Sequence, residues 1–336
     1  MFVDGRLDFG LGDSSEQAIR AEAEGYDAVW AAESSHDPFI TLVSGALATE
    51  RLGLGTGIAV AFGRSPMTTA MMANDLQSLS KGRFMLGLGS QIKPHIEKRY
   101  SMAWSQPAAR MREYILALHA IWSSWHDGTR LRFRGDFYRH TLMTPFFDPG
   151  PNEYGAPKVF LAAVGELMTE VAGEVADGLL VHPFTTERYL REVTLPVIER
   201  SLAKSGRTRD TFQISYSALV VTGSTEAERA DSKIAVRKQL AFYGSTPAYQ
   251  KVFELHGWDD LHPALNSLSR SGEWEKMAEL ISDEVLETFA IVAPVEDVGE
   301  KIMRRFGDVV DRISFYAPGQ YEKDYWRVVL ASVRAA

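Results

Sequence analysis

The run VFLAAVGELMTEVAGEVADGLLV, residues 159–181, decides the fold. Residues 159–164 and 179–181 are continuous apolar stretches, the pattern of strands covered on both faces. Between them Met168, Val171, Ala172 and Val175 share one face of a helix. A strand, a helix and a second buried strand in this order make a parallel pair joined by a right-handed crossover.

The same alternation extends outward in both directions. Upstream lie a helix over 14–25, a strand over 28–31, a strand over 52–61, a helix near 66–80 and a strand over 84–88. Ser14 is the expected N-cap of the first helix, with Gln17 three residues on, and Gly25 its stop. Ala108, Met111, Ile115, Leu118 and Trp122 mark an amphipathic helix over 108–122. Downstream follow a helix over 187–205, strands over 213–222 and 313–316, and a last helix near 321–333. With residues 2–4 as a weak first strand, the count is about eight. Repeated βα units form either an open doubly wound sheet or a closed barrel, and eight strands favour a (β/α)8 TIM barrel of one domain over residues 1–336. Two stretches interrupt the rhythm. Residues 131–133 and 137–140 flank a turn as a small hairpin, followed by an irregular Pro/Gly-rich crossing over 144–157. An extra helical insertion over about 243–283 follows strand seven, where it could roof a site or build a subunit contact.

Composition narrows the chemistry. The chain has no cysteine, which removes disulfides, thiolate nucleophiles and Cys-ligated metals. His95, His119, His126 and His140 show no HExxH pairing, so no metal site is expected, and no GxSxG elbow is present. A net charge of −8 argues against a nucleic-acid partner. No apolar run is long enough to span a bilayer, so a cytoplasmic location without membrane contact is expected. Lys93, His95, Lys98 and Arg99 nevertheless cluster just after strand four, either as a solvated loop or as a patch for an anionic tail.

Barrel enzymes carry their reacting groups at the carboxyl ends of the strands. After strand two comes AAESSHDP, residues 31–38. Glu33 and His36, three apart, suit general acid–base work; alternatively Ser35, Asp37 and Pro38 simply start a helix and leave His36 on the surface. After strand three, GLGTGIAVAF (53–62) carries glycines at 53, 55 and 57 that need a bulge, a close backbone approach or a tight corner. After strand four, GLGSQ (87–91) lacks the full dinucleotide fingerprint. After strand five, Gly165 leads straight into a helix whose free N–H groups could approach a phosphate. Glu166 would repel that anion unless turned away. After strand six, His182 either faces the barrel mouth or packs inside.

Together these pieces resemble the luciferase-like flavin and deazaflavin oxidoreductase family. The resemblance is carried by EGYDAVW (24–30) leading to Glu33 and His36, and by LGTGI (54–58) leading to Arg64-Ser65-Pro66. GRFMLGLGS (82–90) and AGEVADG (172–178) continue it, and it weakens only over 243–283. Within the family the chain looks most like the branch that uses coenzyme F420, with FMN as the alternative cofactor. That resemblance implies a substrate-contacting histidine at His36, tuned by Glu33, and a non-proline cis peptide within 56–59 that brings Thr56, Gly57 and Ile58 to the ring. It implies a phosphate held at Gly165, Glu166, Leu167 and Met168, although relatives often have proline in place of Glu166. Ser90, Gln91 and His95 fall on a loop that carries a second acid in some relatives, where Glu97 is the other candidate, and His182 joins the cofactor wall. The basic cluster would offset the charged F420 tail, while Phe39, Trp104 and Phe184 would exclude water. The expected activity is hydride transfer between the deazaflavin and a small organic substrate such as an alcohol, a carbonyl or an activated alkene. Alternatives are an FMN-dependent two-component monooxygenase, a non-catalytic flavin-binding protein and an unrelated barrel such as a phosphosugar lyase. A homodimer is the partner that the resemblance allows.

Overall fold

The 159–181 stretch forms strand Lys158–Ala163, helix Glu166–Val175 and strand Gly178–Val181, with Phe160 opposite Gly178 in a parallel pair. This computed structural model describes residues 1–7, 11–319 and 325–335. Eight parallel strands run in chain order: β1 (Phe2–Leu7), β2 (Ala28–Ala31), β3 (Gly53–Thr56), β4 (Phe84–Gly89), β5 (Lys158–Ala163), β6 (Gly178–Val181), β7 (Gln213–Val221) and β8 (Arg312–Tyr316). Each pairs with the next, and β8 closes on β1 with Phe2 opposite Arg312. The fold is a (β/α)8 barrel.

The outer helices cover the strands' second faces, which explains why the strands read as unbroken apolar runs. Pro38–Ala48 starts at Asp37, whose carboxylate accepts the Phe39 N–H at 2.9 Å, and Pro66–Leu79 starts at Ser65. The first helix departs from expectation at its cap. Asp13 holds the N-cap position, and Ser14 is buried instead, its hydroxyl bonded to the Leu11 carbonyl and the Ser44 hydroxyl. Gly25 ends that helix in the left-handed conformation, at φ 89°. Residues 187–204 form one continuous helix with a π turn at Leu190–Thr194. The hairpin pairs Phe133–Arg134 with Arg139–His140. The last helix is described as Tyr325–Ala335, and its expected start at Tyr321 lies outside the described residues.

At the barrel floor, acids in the turns tie neighbouring strands together. Asp27 accepts the Val3 N–H, Asp177 the Val159 N–H and Asp311 the Ile214 N–H, at 2.7, 2.8 and 2.6 Å. Just above, inside the barrel, Arg312 grips Asp4 with Nε at 2.8 Å and a terminal nitrogen at 2.7 Å, and Trp30 Nε1 donates to the same carboxylate at 2.8 Å. The Trp30 ring fills the interior against Phe160 and would collide with any Cβ at Gly55. That contact is the reason for the glycine in β3.

Between β7 and the outer helix Val298–Phe306 sits an additional helical layer. It starts at Glu226–Gly244, earlier than residue 243, and continues through Gln250–Leu255, Leu261–Ser271 and Trp274–Glu279 to Asp283–Phe289. Leu240, Phe253, Leu265, Leu286 and Phe289 give it an apolar core of its own, which also receives Phe184. A capping box between Thr225 and Glu228 fixes its first turn.

Candidate active site

The carboxyl ends of the strands open into a cavity of about 1290 Å3. Its lining draws on β1, β2, β4, β5, β6, β7 and β8 and on the helical layer after β7. Residues Tyr243, Thr246, Ala248, Tyr249 and Lys251 of that layer form part of the wall, so the insertion roofs the site. The volume exceeds that of an ordinary small-ligand pocket and leaves room for an extended cofactor beside a substrate.

The wall after β5 is built to receive an anion. Gly165, at φ 79°, precedes helix Glu166–Val175, and no side chain caps that helix. The first helical bond is Thr169 N–H to the Gly165 carbonyl, which leaves the amides of Glu166, Leu167 and Met168 at the cavity wall with no partner from that ladder. The Glu166 carboxylate is drawn to Arg200 at 2.9 Å, so the one acid in the lining among the described residues is paired from outside. An uncapped helix start with its own acid paired off fits the phosphate of a flavin or deazaflavin.

Across β3 and β4 the ring-side wall is backbone. A cis peptide joins Gly57 and Ile58, inside the expected 56–59 window. The Gly57 N–H donates to the Ala31 carbonyl at 2.8 Å, and the Ile58 carbonyl accepts the Glu33 N–H at 3.2 Å. Gly57, Ile58, Gly89, Ser90 and Gln91 line the cavity, with Gln91 at φ 58° turning the chain out of β4. Thr56 does not reach it. Its buried hydroxyl exchanges two bonds with the Gly87 backbone, 2.7 Å to the carbonyl and 2.9 Å from the N–H, and so clamps β3 to β4.

The pair expected after β2 lies outside the lining. Glu33 Oε2 accepts from Arg64 at 2.6 Å and from the Val60 N–H at 2.8 Å, while Oε1 accepts the Tyr100 hydroxyl at 2.6 Å. Its side chain is 6% exposed and that of Arg64 14%. The bonds to Glu33 therefore tie the segment after β3 to Tyr100 past β4, and none reaches His36. Asp37 takes the other Arg64 nitrogen at 2.5 Å and caps the next helix, leaving His36 exposed beside it. Of the basic cluster only Lys93 lines the cavity. His95 and Lys98 are exposed on the short helix Lys93–Lys98, and Arg99 donates to the Ser34 carbonyl. Among the expected aromatics Trp104 lines the cavity, whereas Phe39 and Phe184 are buried in the core.

His182 is the one expected histidine in the lining. Its Nδ1 accepts the Phe184 N–H at 3.0 Å, and its Nε2 meets the Tyr249 hydroxyl at 3.0 Å. Burial pushes the imidazole down to about 4, so it is neutral near pH 7. With Nδ1 accepting, the ring proton is assigned to Nε2, which donates to Tyr249 and leaves that O–H free to donate onward. Tyr249 stacks on His182 at 4.6 Å between centroids, with Tyr243 edge-on at 4.7 Å. Burial raises the Tyr249 hydroxyl to about 12, so it stays a donor at neutral pH. Sequence reasoning missed Arg6, Trp30, Tyr243, Tyr249 and Tyr316 as lining residues. Arg6, Trp30 and Tyr316 were detectable as inward positions near strand ends, while nothing local marked the two tyrosines of the insertion. No group of three or more metal-ligating side chains occurs among the described residues.

Comparison with known proteins agrees with this architecture. The luciferase-like monooxygenase family profile matches residues 4–312. An uncharacterized protein of Mycobacterium tuberculosis is 54% identical over 311 residues, covering 93% of this chain and 92% of its own. The 5,10-methylenetetrahydromethanopterin reductase of Archaeoglobus fulgidus is 28% identical over 290 residues, covering 84% and 82%. The solved coenzyme F420-dependent tetrahydromethanopterin reductase of Methanopyrus kandleri superposes with a TM-score of 0.79 at 20% identity, covering 98% and 96%.

Proposed function

The chain belongs to the luciferase-like monooxygenase family, and from that premise we propose that it is a coenzyme F420-dependent oxidoreductase acting on a small organic substrate, an alcohol, a carbonyl or an activated alkene. The observation that carries the reading is the uncapped helix start at Gly165–Met168 opening onto a cavity large enough for cofactor and substrate together. The 28%-identical methanopterin reductase supports a reductase over an oxygenase. Gly165, Leu167, Met168 and Lys93 would hold the cofactor's anionic portion, and Gly57, Ile58, Ser90 and Gln91 would bear on its ring. When bound, the deazaflavin supplies the hydride chemistry.

The chain's own residues orient the substrate and handle its proton. Tyr249, fixed by His182, donates a hydrogen bond to the substrate oxygen. His36, exposed beside the Arg64 network, is proposed to exchange the proton with solvent, and Glu33 acts as a positioning residue for the 57–64 segment. FMN remains the alternative, because a phosphate site of this kind serves both molecules and the family's name is that of a monooxygenase. Titration of purified protein with F420 and with FMN, read by fluorescence quenching, tests the assignment. Micromolar F420 binding with weaker FMN binding is expected. Binding of FMN alone reverses the cofactor, and tight binding without turnover across an alcohol and enone panel leaves a carrier rather than an enzyme.

A homodimer is proposed on a second observation. Ile40, Val43 and Leu47 form an exposed apolar stripe on helix Pro38–Ala48, 62%, 39% and 70% exposed, beside Met71 on the neighbouring helix. Light scattering on wild type and Leu47→Asp reads it directly, with dimer and monomer as the expected pair. No helix among the described residues is long and apolar enough to cross a membrane, and a cytoplasmic location is proposed with the function.

A further inference from the structure

On the inward faces of β7, β8 and β1, Ser217, Ser314 and Asp4 lie in register, and a second layer begins one inward step above them. In the lower layer Asp4 and Arg312 neutralise each other through two bonds, 2.8 and 2.7 Å. Two residues further along β1, on the same inward face, stands Arg6. Among the described residues no carboxylate pairs with it; its guanidinium lies 5.3 Å from the Tyr316 ring centroid and is otherwise open to the cavity. Ser217 and Ser314 sit opposite each other on β7 and β8, also in the lining, and neither hydroxyl has a hydrogen-bond partner among the described residues. Among the described residues the only acid in the lining, Glu166, is held by Arg200. In a chain of net charge −8, this leaves, among the described residues, a cation and two unpartnered hydroxyls on a wall without a free acid.

Position separates this feature from the cofactor's anion site. β1 is four strands from β5 in either direction around the closed ring, so Arg6 and Gly165 stand on opposite walls. A single molecule of phosphate at Gly165 cannot also satisfy Arg6. We propose that Arg6, Ser217 and Ser314 form a carboxylate subsite, so that the substrate of the hydride transfer proposed above is a small organic acid anion. One guanidinium fork with neutral hydroxyls matches the two oxygens and single charge of a carboxylate better than a dianionic phosphate ester. The Tyr316 ring restrains the guanidinium, and Tyr243, 3.4 Å from the Tyr316 hydroxyl, links this wall to the Tyr249–His182 pair.

The test is calorimetric titration of the full-length protein with propionate and benzoate, with propionamide and benzamide as neutral isosteres and phenyl phosphate as dianion. It is run on wild type, Arg6→Gln and Arg6→Lys, alongside F420 and FMN titrations. Expected are carboxylate binding above amide and phosphate binding, a loss of about tenfold or more in Arg6→Gln and partial recovery in Arg6→Lys. Cofactor affinity should move less than about twofold, because the opposite wall is untouched. Carboxylate affinity indifferent to Arg6→Gln, no carboxylate binding at all, or phosphate binding tighter than carboxylate would each overturn the subsite. A parallel loss of cofactor affinity would assign Arg6 to the cofactor and overturn it likewise. If carboxylates depend on Arg6 while neither cofactor binds, the hydride-transfer reading fails and the subsite stands. Melting temperatures of the variants confirm that each is folded.

Discussion

The ends of β2 and β6 carry the two histidines that matter, and they are built in opposite ways. Past β2, Glu33, Asp37, Arg64 and Tyr100 spend their polar groups on one another and on the backbone, and His36 is left outside. Past β6, His182 is locked by the Phe184 N–H and stacked by tyrosines, and its remaining proton is aimed through Tyr249 toward the cavity. The first end holds its charges for rigidity; the second presents a neutral donor to the cavity. Residue type alone does not distinguish them, since both offer a histidine near a strand end.

The contrast predicts a ladder of effects. Glu33→Ala leaves one nitrogen of the largely buried Arg64, the Val60 N–H and the Tyr100 hydroxyl without their carboxylate, with Asp37 still on the other Arg64 nitrogen, and should cost about 3–5 kcal/mol, measured by denaturant unfolding. A loss under about 1 kcal/mol would dissolve the claim that the β2 end is a structural lock. Next in size, His36→Ala should lower turnover about 100-fold with unchanged cofactor affinity. Unaltered steady-state rates would take His36 out of the chemistry and leave it all on the β6 side. Tyr249→Phe should lower kcat about tenfold and cost about 1–3 kcal/mol of stability, since the ring packing survives but the His182 N–H loses its acceptor.

Acid titration sharpens the β6 side further. The folded-state pKa of His182 is depressed to about 4 by burial, so on acidification the unfolded chain takes up this proton first. Stability is then full above the unfolded pKa and falls as pH drops from about 6.5 toward 4. His182→Gln should flatten the decline of melting temperature in that window by about one proton's worth, with His119, His140 and His256, also depressed by burial, acting in the same direction. At the bottom of the ladder, His95→Ala and Lys98→Ala should change stability by less than about 0.5 kcal/mol and cofactor affinity less than about twofold, both side chains being exposed and outside the lining. A strong effect of either would return the basic cluster to the cofactor.

Much of the fold was legible because burial on both faces writes itself into consecutive residues. The runs at 159–164 and 179–181 turned out to be strands, and the family-like pieces 24–30 and 172–178 carry Asp27 and Asp177, the carboxylates that tie strands at the floor. The cap at Ser14 was misplaced because a hydroxyl serves equally well as a cap or as a buried bond to Ser44, and only the neighbouring helix decides which. In the site, Gly57, Ile58, Ser90, Gln91, Gly165–Met168 and His182 come together as the strand ends implied. Glu33 does not, because its partner Arg64 is thirty-one positions away and spacing within AAESSHDP contains no sign of it.

By itself the sequence determined the parallel barrel, the absence of thiol chemistry and the glycine-led helix that can take an anion. Each depends on composition or on residues near one another in the chain. Tertiary structure alone decided which charges are spent and which are free. Arg64, Arg200 and Arg312 are consumed by Glu33, Glu166 and Asp4, whereas Arg6 has no carboxylate partner among the described residues. Electrostatic pairing depends on distance in space, and closing the barrel brings residues 4 and 312 together as readily as neighbours.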